Sequence, residues 1–218
     1  MSKIIFSHGF GVRADSKGLF TDLSAGLFPD FDCQMVNLNL VDEIENTITV
    51  PPIKQQAVTL EAAIRAADIY VDIIAHSQGC LVAAHLPLGM RIRKIILLAP
   101  PVELRSSLME TTYNDHPQTL TTPMGMLQIV RKNGDRIWMR QDYIEEMRDT
   151  DPVKLINMLA LKYPVTVFRA TDDEMLDNID DSALENVTVI PLPGDHDFDP
   201  PDRGRLIEAI KAELTQIK

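Results

Sequence analysis

Short apolar runs rich in β-branched residues alternate along the chain with longer segments of helical period, and this alternation constrains the fold more than any other feature. Six runs predict strands, at residues 3–7, 34–38, 70–75, 94–99, 165–170 and 187–192. Most of them are continuously apolar, as strands buried on both faces of a parallel sheet are. Apolar residues at helical spacing predict covering helices at 16–28, 54–67 and 202–218. The pattern therefore predicts an α/β fold, with a mainly parallel sheet of about six strands flanked by helices.

One stretch, residues 102–161, breaks this alternation and contains no clear strand pattern. Two short helices are predicted in its second half, one over 142–147 and one with Asp151 as N-cap and Pro152 at the first helical position. We interpret the stretch as a small helical lid or cap insertion within a single domain of residues 1–218, a length that suits one hydrophobic core.

The insertion is rich in methionine and contains the only tryptophan. Side chains such as Met124, Met126 and Met139 offer flexible apolar surface, which suits an apolar ligand. They could equally pack the lid against the core, and the sequence leaves both interpretations open.

Charge and hydropathy exclude several classes of partner. The formal net charge of −11 opposes binding to phosphate backbones and anionic membrane surfaces, so nucleic acid is not an expected partner. No apolar run is long enough to cross a bilayer, and the first residues resemble a strand rather than a signal peptide. These observations predict a cytoplasmic location without a membrane span, and they leave the oligomeric state open.

Residues 71–84 predict a strand, a very tight turn and a helix rich in small residues. Ser77 stands at the turn, and Ala75 and Gly79, two positions before and after it, are small enough to let strand and helix approach closely. The segment resembles the nucleophile elbow of the α/β-hydrolase family, with alanine in place of the first glycine of the G-x-S-x-G motif. This resemblance implies the α/β-hydrolase fold, with Ser77 as the nucleophile.

The segment directly after the first predicted strand, residues 7–11, resembles the His-Gly-hydrophobic turn of the same family. In the family this turn supplies donors to an oxyanion hole, and two preorganised backbone N–H groups can stabilise the charge of a tetrahedral intermediate. The resemblance implies the N–H groups of Phe10 and Gln78 as these donors. We expect His8 to shape the loop by hydrogen bonding rather than to act as a catalytic base.

The strand that ends at Ala170 leads into Asp172 and Asp173, where the family carries its triad acid. The register of the family motif implies Asp173, with Asp172 as the alternative because alanine replaces the usual glycine. Either carboxylate could instead cap a helix that follows.

His196 follows the last predicted strand, where the family carries its general base. An imidazole suits this role because its pKa near neutrality lets it accept and return a proton within one cycle. Carboxylates flank His196, but no second histidine stands at a motif spacing, so no metal and no cofactor are expected.

The chain order Ser77, Asp173, His196 is the order found in triads of this family. The resemblance implies a serine hydrolase that acts through an acyl-enzyme intermediate, and we expect a carboxylesterase whose partner is a small-molecule ester with a small or medium apolar acyl group. A thioesterase, lipase or carbon–carbon bond hydrolase would use the same triad. A non-catalytic, ligand-binding member of the fold is the alternative from another class.

Overall fold

The computed structural model describes residues 2–103, 120–121, 126–131, 133–176 and 180–215, with only the backbone of residues 120–121. Its strands are β1 (Ser2–Ser7), β2 (Phe31–Val36), β3 (Leu40–Asp42), β4 (Thr47–Val50), β5 (Val71–His76), β6 (Ile92–Leu98), β7 (Leu120–Thr121), β8 (Leu127–Val130), β9 (Arg136–Met139), β10 (Val165–Ala170) and β11 (Val187–Leu192). Its helices are α1 (Leu19–Leu27), α2 (Ile53–Ala66), α3 (Gln78–Ala84), α4 (Gln141–Asp149), α5 (Pro152–Ala160) and α6 (Arg203–Thr215). None of these described helices is both long and apolar enough to span a membrane.

The main sheet has six strands in the order β11-β10-β6-β5-β1-β2, and every neighbouring pair is parallel. This confirms the predicted mainly parallel sheet, and the predicted bounds of β10 and β11 agree with the structure to the residue. All six residues of β5 and of β10 are buried. Burial on both faces explains why these segments are continuously apolar in the sequence.

Helices cover both faces of this sheet, and two separate apolar clusters lie between the helices and the strands. Strand β1 shows the division, because Ile5 belongs to one cluster while Ile4 and Phe6 belong to the other. Successive side chains of a strand point to opposite faces, so a fully buried strand must serve two cores. Helices α1 and α6 line one face, and α2, α3 and α5 line the other.

The first covering helix begins later than predicted, at Leu19 rather than near residue 16. Ser16, Lys17 and Gly18 all have positive φ values, of 51°, 58° and 88°, which are incompatible with a right-handed helix. The segment before α1 is therefore a turn, and the hydroxyl of Ser16 points inward and is buried.

A second, smaller sheet corrects the prediction for residues 102–161. Its strand order is β3-β4-β9-β8-β7, so three of its strands lie inside the segment that was predicted to be a helical insertion. The predicted helical insertion therefore also contains strands. The sequence does not indicate them because they are only two to four residues long and leave no extended pattern. Strand β9 pairs in parallel with β4, a partner far away in sequence, and such a pairing has no local signal.

The two helices predicted in this segment are confirmed as α4 and α5. A carboxylate oxygen of Asp151 accepts a hydrogen bond from the N–H of Lys154 at 3.0 Å, as expected of an N-cap. Met139 is buried in the core, which agrees with the packing interpretation for this residue. Met124 lies outside the described residues.

Candidate active site

Ser77 lies between the end of β5 and the start of α3, with φ 52° and ψ −126°. A positive φ is uncommon for a residue with a Cβ and costs conformational energy that the surrounding structure must offset. The buried strand β5 holds one side of this turn, and the N–H of Ser77 donates to the carbonyl oxygen of Leu98 at 2.9 Å. The serine itself stays partly exposed at the carboxyl end of the sheet.

Gly79 allows helix α3 to approach β1 more closely than any side chain would permit. A Cβ placed on Gly79 would lie 2.1 Å from the carbonyl oxygen of Ser7 and 2.6 Å from that of His8. The hydroxyl of Ser7 also donates to the carbonyl oxygen of Gly79 at 2.9 Å. The small residue predicted two positions after the serine is therefore required by a backbone contact between α3 and the end of β1.

His196, Asp173 and Ser77 form a continuous chain of hydrogen bonds. Nε2 of His196 lies 2.8 Å from Oγ of Ser77, and Nδ1 lies 2.8 Å from Oδ2 of Asp173. Because a carboxylate only accepts, Nδ1 carries the proton and Nε2 is left to accept from the serine hydroxyl. The three residues follow β11, β10 and β5 respectively, so the carboxyl ends of three strands bring them together.

Asp173 is buried and accepts hydrogen bonds through both carboxylate oxygens. Oδ2 faces His196, and Oδ1 accepts from the backbone N–H groups of Met175 and Leu176, each at 2.9 Å. The side chain is only 3% exposed, while that of His196 is 14% exposed. Asp173 thus caps the turn after β10 and contacts the imidazole at the same time.

The neighbouring carboxylate of Asp172 faces other partners. Its Oδ2 accepts from the hydroxyl of Thr171 at 3.1 Å and from the N–H of Gly194 at 3.4 Å. Of the two acids that the sequence left open, the structure therefore brings Asp173 to His196.

The acids on either side of His196 are also engaged elsewhere. Asp195 accepts from the N–H of Asp199 at 2.8 Å, and Asp197 pairs with the ammonium group of Lys17 at 2.7 Å. Across the described ranges, no group of three or more histidine, cysteine or acidic side chains is arranged to hold a metal ion.

Both residues predicted as oxyanion donors belong to segments next to the serine. Gln78 is the first residue of α3, and the first N–H groups of a helix have no acceptor within the helix. Phe10 follows Gly9, where an added Cβ would lie only 3.3 Å from Cβ of Ser77. The loop after β1 therefore passes directly beside the serine.

His8 holds this loop in place. Its Nε2 accepts from the N–H of Leu38 at 2.9 Å, so Nδ1 carries the proton and donates to the carbonyl oxygen of Gly9 at 2.9 Å. Burial lowers the pKa of His8 and keeps the ring neutral. These bonds confirm the prediction that His8 shapes the loop by hydrogen bonding.

Tyr143, on helix α4, contacts both predicted oxyanion residues. Its hydroxyl donates to Oε1 of Gln78 at 2.5 Å, and its ring stacks on that of Phe10 with centroids 5.8 Å apart. The side chain of Gln78 continues the network by donating to Gln56 at 3.3 Å. No local pattern around Tyr143 indicates this role, because the contact joins residues that are 65 positions apart.

We expect Tyr143→Phe to keep the stacking on Phe10 but to lose the hydrogen bond to Gln78. The loss of one buried hydrogen bond should lower the free energy of unfolding by about 1 kcal/mol and reduce catalytic turnover by up to about tenfold. Thermal unfolding and steady-state kinetics measure the two effects.

Tyr163→Phe is the matched control. Tyr163 is buried. Its hydroxyl donates to the carbonyl oxygen of Pro87 and accepts from the N–H of Met90, and both partners lie in the loop between α3 and β6. This variant should lose stability but keep its turnover. Equal turnover in both variants would show that Tyr143 does not support the site.

The fold is similar to those of solved α/β-hydrolases. The esterase domain of a Rhodothermus marinus protein aligns with a TM-score of 0.65 at 15% identity, over 98% of this chain and 86% of that chain. An extracellular α/β-hydrolase from a Paenibacillus species aligns with a TM-score of 0.63 at 13% identity, over 97% and 98%. The thioesterase domain from the curacin biosynthetic pathway aligns with a TM-score of 0.61 at 12% identity, over 96% and 91%. The chain therefore has the α/β-hydrolase fold.

A sequence match then identifies the family within this fold. Residues 35–149, more than half of the chain, match the family described as serine hydrolase. The chain belongs to this serine hydrolase family. No match is found among curated proteins. The matched range includes Ser77, whereas Asp173 and His196 lie beyond it and are brought to the serine by the fold.

Proposed function

We propose that this protein hydrolyses carboxylic ester bonds through an acyl-enzyme intermediate, with Ser77 as nucleophile, His196 as general base and Asp173 as the orienting acid. The observation that carries the proposal is a chain of two hydrogen bonds of 2.8 Å, one between Asp173 and His196 and one between His196 and Ser77. A nucleophile, a base and a group that orients the base are the components needed to activate a serine hydroxyl.

In the first half-reaction, Oγ of Ser77 attacks the carbonyl carbon of the ester while its proton passes to Nε2 of His196. The negative charge forms on the former carbonyl oxygen, and the N–H groups of Phe10 and Gln78 are the proposed donors to it. The imidazolium then protonates the leaving alcohol as the carbon–oxygen bond breaks. Water attacks the acyl-enzyme by the reverse sequence and releases the carboxylic acid.

Asp173 supports this cycle through its charge and its fixed position. Its carboxylate holds the Nδ1–H of His196, which leaves Nε2 free to face the serine, and it stabilises the imidazolium that forms transiently. The two backbone N–H groups that bind Oδ1 keep this buried carboxylate in place.

Residues 102–161 are the proposed lid region of the single domain. Strand β9 pairs with β4, and α4 brings Tyr143 against Phe10, so the described half of the segment borders the proposed oxyanion hole. A small or medium apolar acyl group suits an aromatic border of this kind. The names of structural neighbours, an esterase domain and a thioesterase domain, support acyl transfer to water as the reaction class.

The substrate class is tested with nitrophenyl esters of increasing acyl length, together with a thioester and an amide of one acyl group. We expect turnover of the short and medium esters and covalent labelling by a fluorophosphonate probe. Faster turnover of the matched thioester would assign a thioesterase instead. Equal labelling of wild type and Ser77→Ala would overturn the proposed nucleophile, and a folded protein with neither labelling nor turnover would indicate a non-catalytic member of the fold.

The proposed acid is tested by Asp173→Asn with Asp172→Asn as its matched control. Asparagine at 173 can present its amide to Nδ1 and so favour the wrong tautomer of His196, and we expect kcat to fall by about 10²- to 10⁴-fold. Asparagine at 172 keeps an oxygen for Thr171 and Gly194, so kcat should stay within about threefold. Steady-state kinetics of the two variants decide between the acids, since the opposite ranking would assign Asp172.

A further inference from the structure

A second histidine, His76, lies beside His196. His76 is the last residue of β5 and directly precedes Ser77. Its imidazole is buried, and its ring centroid lies 5.2 Å from that of His196, at an angle of 48° between the ring planes. His76 has no part in the proton transfers described above.

The hydrogen bonds of His76 define its tautomer. Nε2 lies 2.9 Å from the backbone carbonyl oxygen of His196, and Nδ1 lies 3.1 Å from the hydroxyl oxygen of Ser16. A carbonyl oxygen only accepts, so Nε2 carries the proton and Nδ1 accepts from the serine hydroxyl. Burial, together with the charge of a protonated His196, lowers the pKa of His76 to about 4, so the ring is neutral at neutral pH.

Charged groups surround this contact without replacing it. A carboxylate oxygen of Asp197 lies 3.8 Å from Nε2 of His76, which is too far for a hydrogen bond, and the other oxygen binds Lys17. The backbone carbonyl of Asp197 accepts from Arg203 at 3.1 Å. The imidazole N–H of His76 therefore holds the backbone carbonyl of His196, while Arg203 holds that of Asp197.

We propose that His76 is a positioning residue that fixes the backbone of His196 relative to Ser77. The imidazole N–H of His76, the residue next to the nucleophile, donates to the backbone carbonyl oxygen of His196, so the strand that ends at His76 also sets the position of the proposed base. The hydroxyl of Ser16 holds the ring from the opposite side by donating to Nδ1. This inference rests on the proposed function and adds a residue to it.

The physical reason is the sensitivity of proton transfer to distance. His196 belongs to a loop that is 119 positions away from Ser77 in sequence, and Gly194 in that loop has a φ of 143°, a value open mainly to glycine. Misplacement of a reacting group by about 1 Å can lower a rate by about a hundredfold. The hydrogen bond from His76 to the carbonyl oxygen of His196 joins the end of β5 to this loop directly and reduces this misplacement.

The test compares His76→Leu with His76→Gln. Leucine fills much of the volume but has no donor, whereas the side-chain amide of glutamine can place an N–H near the position of Nε2. We expect kcat for a nitrophenyl ester to fall by about tenfold to a hundredfold in His76→Leu, with KM within about twofold, and to recover to within about threefold in His76→Gln. Fluorophosphonate titration counts the active serines, and kcat is expressed per labelled site.

Ser16→Ala is the second variant, because it removes the hydroxyl that binds Nδ1 and leaves the imidazole of His76 in place. We expect a fall in kcat of about threefold or more at nearly unchanged KM, with a melting temperature lower by about 2–4 °C because one buried hydrogen bond is lost.

The outcomes separate the two proposals. Wild-type kcat per labelled site in a folded His76→Leu protein would overturn the positioning role, as would equal loss in folded Leu and Gln variants. If neither histidine variant folds, wild-type kcat in Ser16→Ala overturns it. The rate of the wild type tests the proposed function, and absence of wild-type turnover and labelling would overturn both.

Discussion

Ser77→Ala is expected to lower kcat/KM for the best ester by at least about 10⁴-fold, because the substitution removes the atom that would form the acyl-enzyme bond. The stability of the protein should change little. The serine side chain is partly exposed, and the strained turn is held by backbone contacts, among them the N–H of Ser77 on Leu98 and the N–H of Cys80 on the carbonyl of Ser77. Kinetics at matched active-protein concentration and thermal unfolding measure the two expectations.

A double variant provides the sharper control. His196→Ala should lower kcat/KM about as much as Ser77→Ala, since either substitution interrupts the same proton transfer. The double variant should have about the same kcat/KM as the single variants. If the two residues contributed independently, the fold losses in kcat/KM of the single variants would instead multiply in the double variant. A multiplicative loss, or turnover in Ser77→Ala above about a hundredth of the wild-type rate, would contradict the proposed unit of nucleophile and base.

Gly79→Ala is expected to lower the free energy of unfolding by about 3 kcal/mol or more. The added methyl group would meet the carbonyl oxygens of Ser7 and His8 at 2.1 and 2.6 Å, and backbone atoms cannot rotate away as the end of a side chain can. To relieve the contact, α3 must move from β1. That movement displaces Ser77 and Gln78, so activity should fall together with stability.

Gly204→Ala is the matched control, because it adds the same methyl group to an exposed glycine in α6 that has no heavy atom within 4 Å of the added carbon. Alanine is the better helix former, and this variant should be more stable by about 0.5 kcal/mol. Urea unfolding compares the two variants directly. If Gly79→Ala were as stable as Gly204→Ala, the close approach of α3 to β1 would not be required for the fold.

Most strands of the main sheet could be predicted because they contain continuous apolar runs. The exception is β2 (Phe31–Val36, predicted at 34–38), which contains the polar residues Asp32 and Gln34. β5 and β10 are buried at every position, and burial on both faces selects apolar residues along the whole strand. The start of α1 was missed by three residues, since helical periodicity continues into a turn whose positive φ values depend on its contacts.

The smaller sheet could not be predicted because its strands depend on partners that are distant in sequence. Val50 of β4 pairs with Met139 of β9, and neither strand is longer than four residues. A short strand has too few residues to show alternation, and its pairing is decided only when the chain folds.

The candidate site likewise contains features with a local sequence signal and features that depend on residues distant in sequence. The elbow at Ser77 has a local signal, because strand, tight turn and helix follow one another and small residues stand at 75 and 79. The structure adds that Gly79 is required by a close backbone contact with the end of β1. The sequence by itself therefore determined the main sheet, the elbow and the order of the three candidate residues. The tertiary structure alone decided that Asp173 rather than Asp172 contacts His196, and that Tyr143 contacts Gln78 and His76 contacts His196. The physical reason is that neighbouring side chains in a turn point in different directions, and their partners come from segments that only the packing of the whole chain brings together.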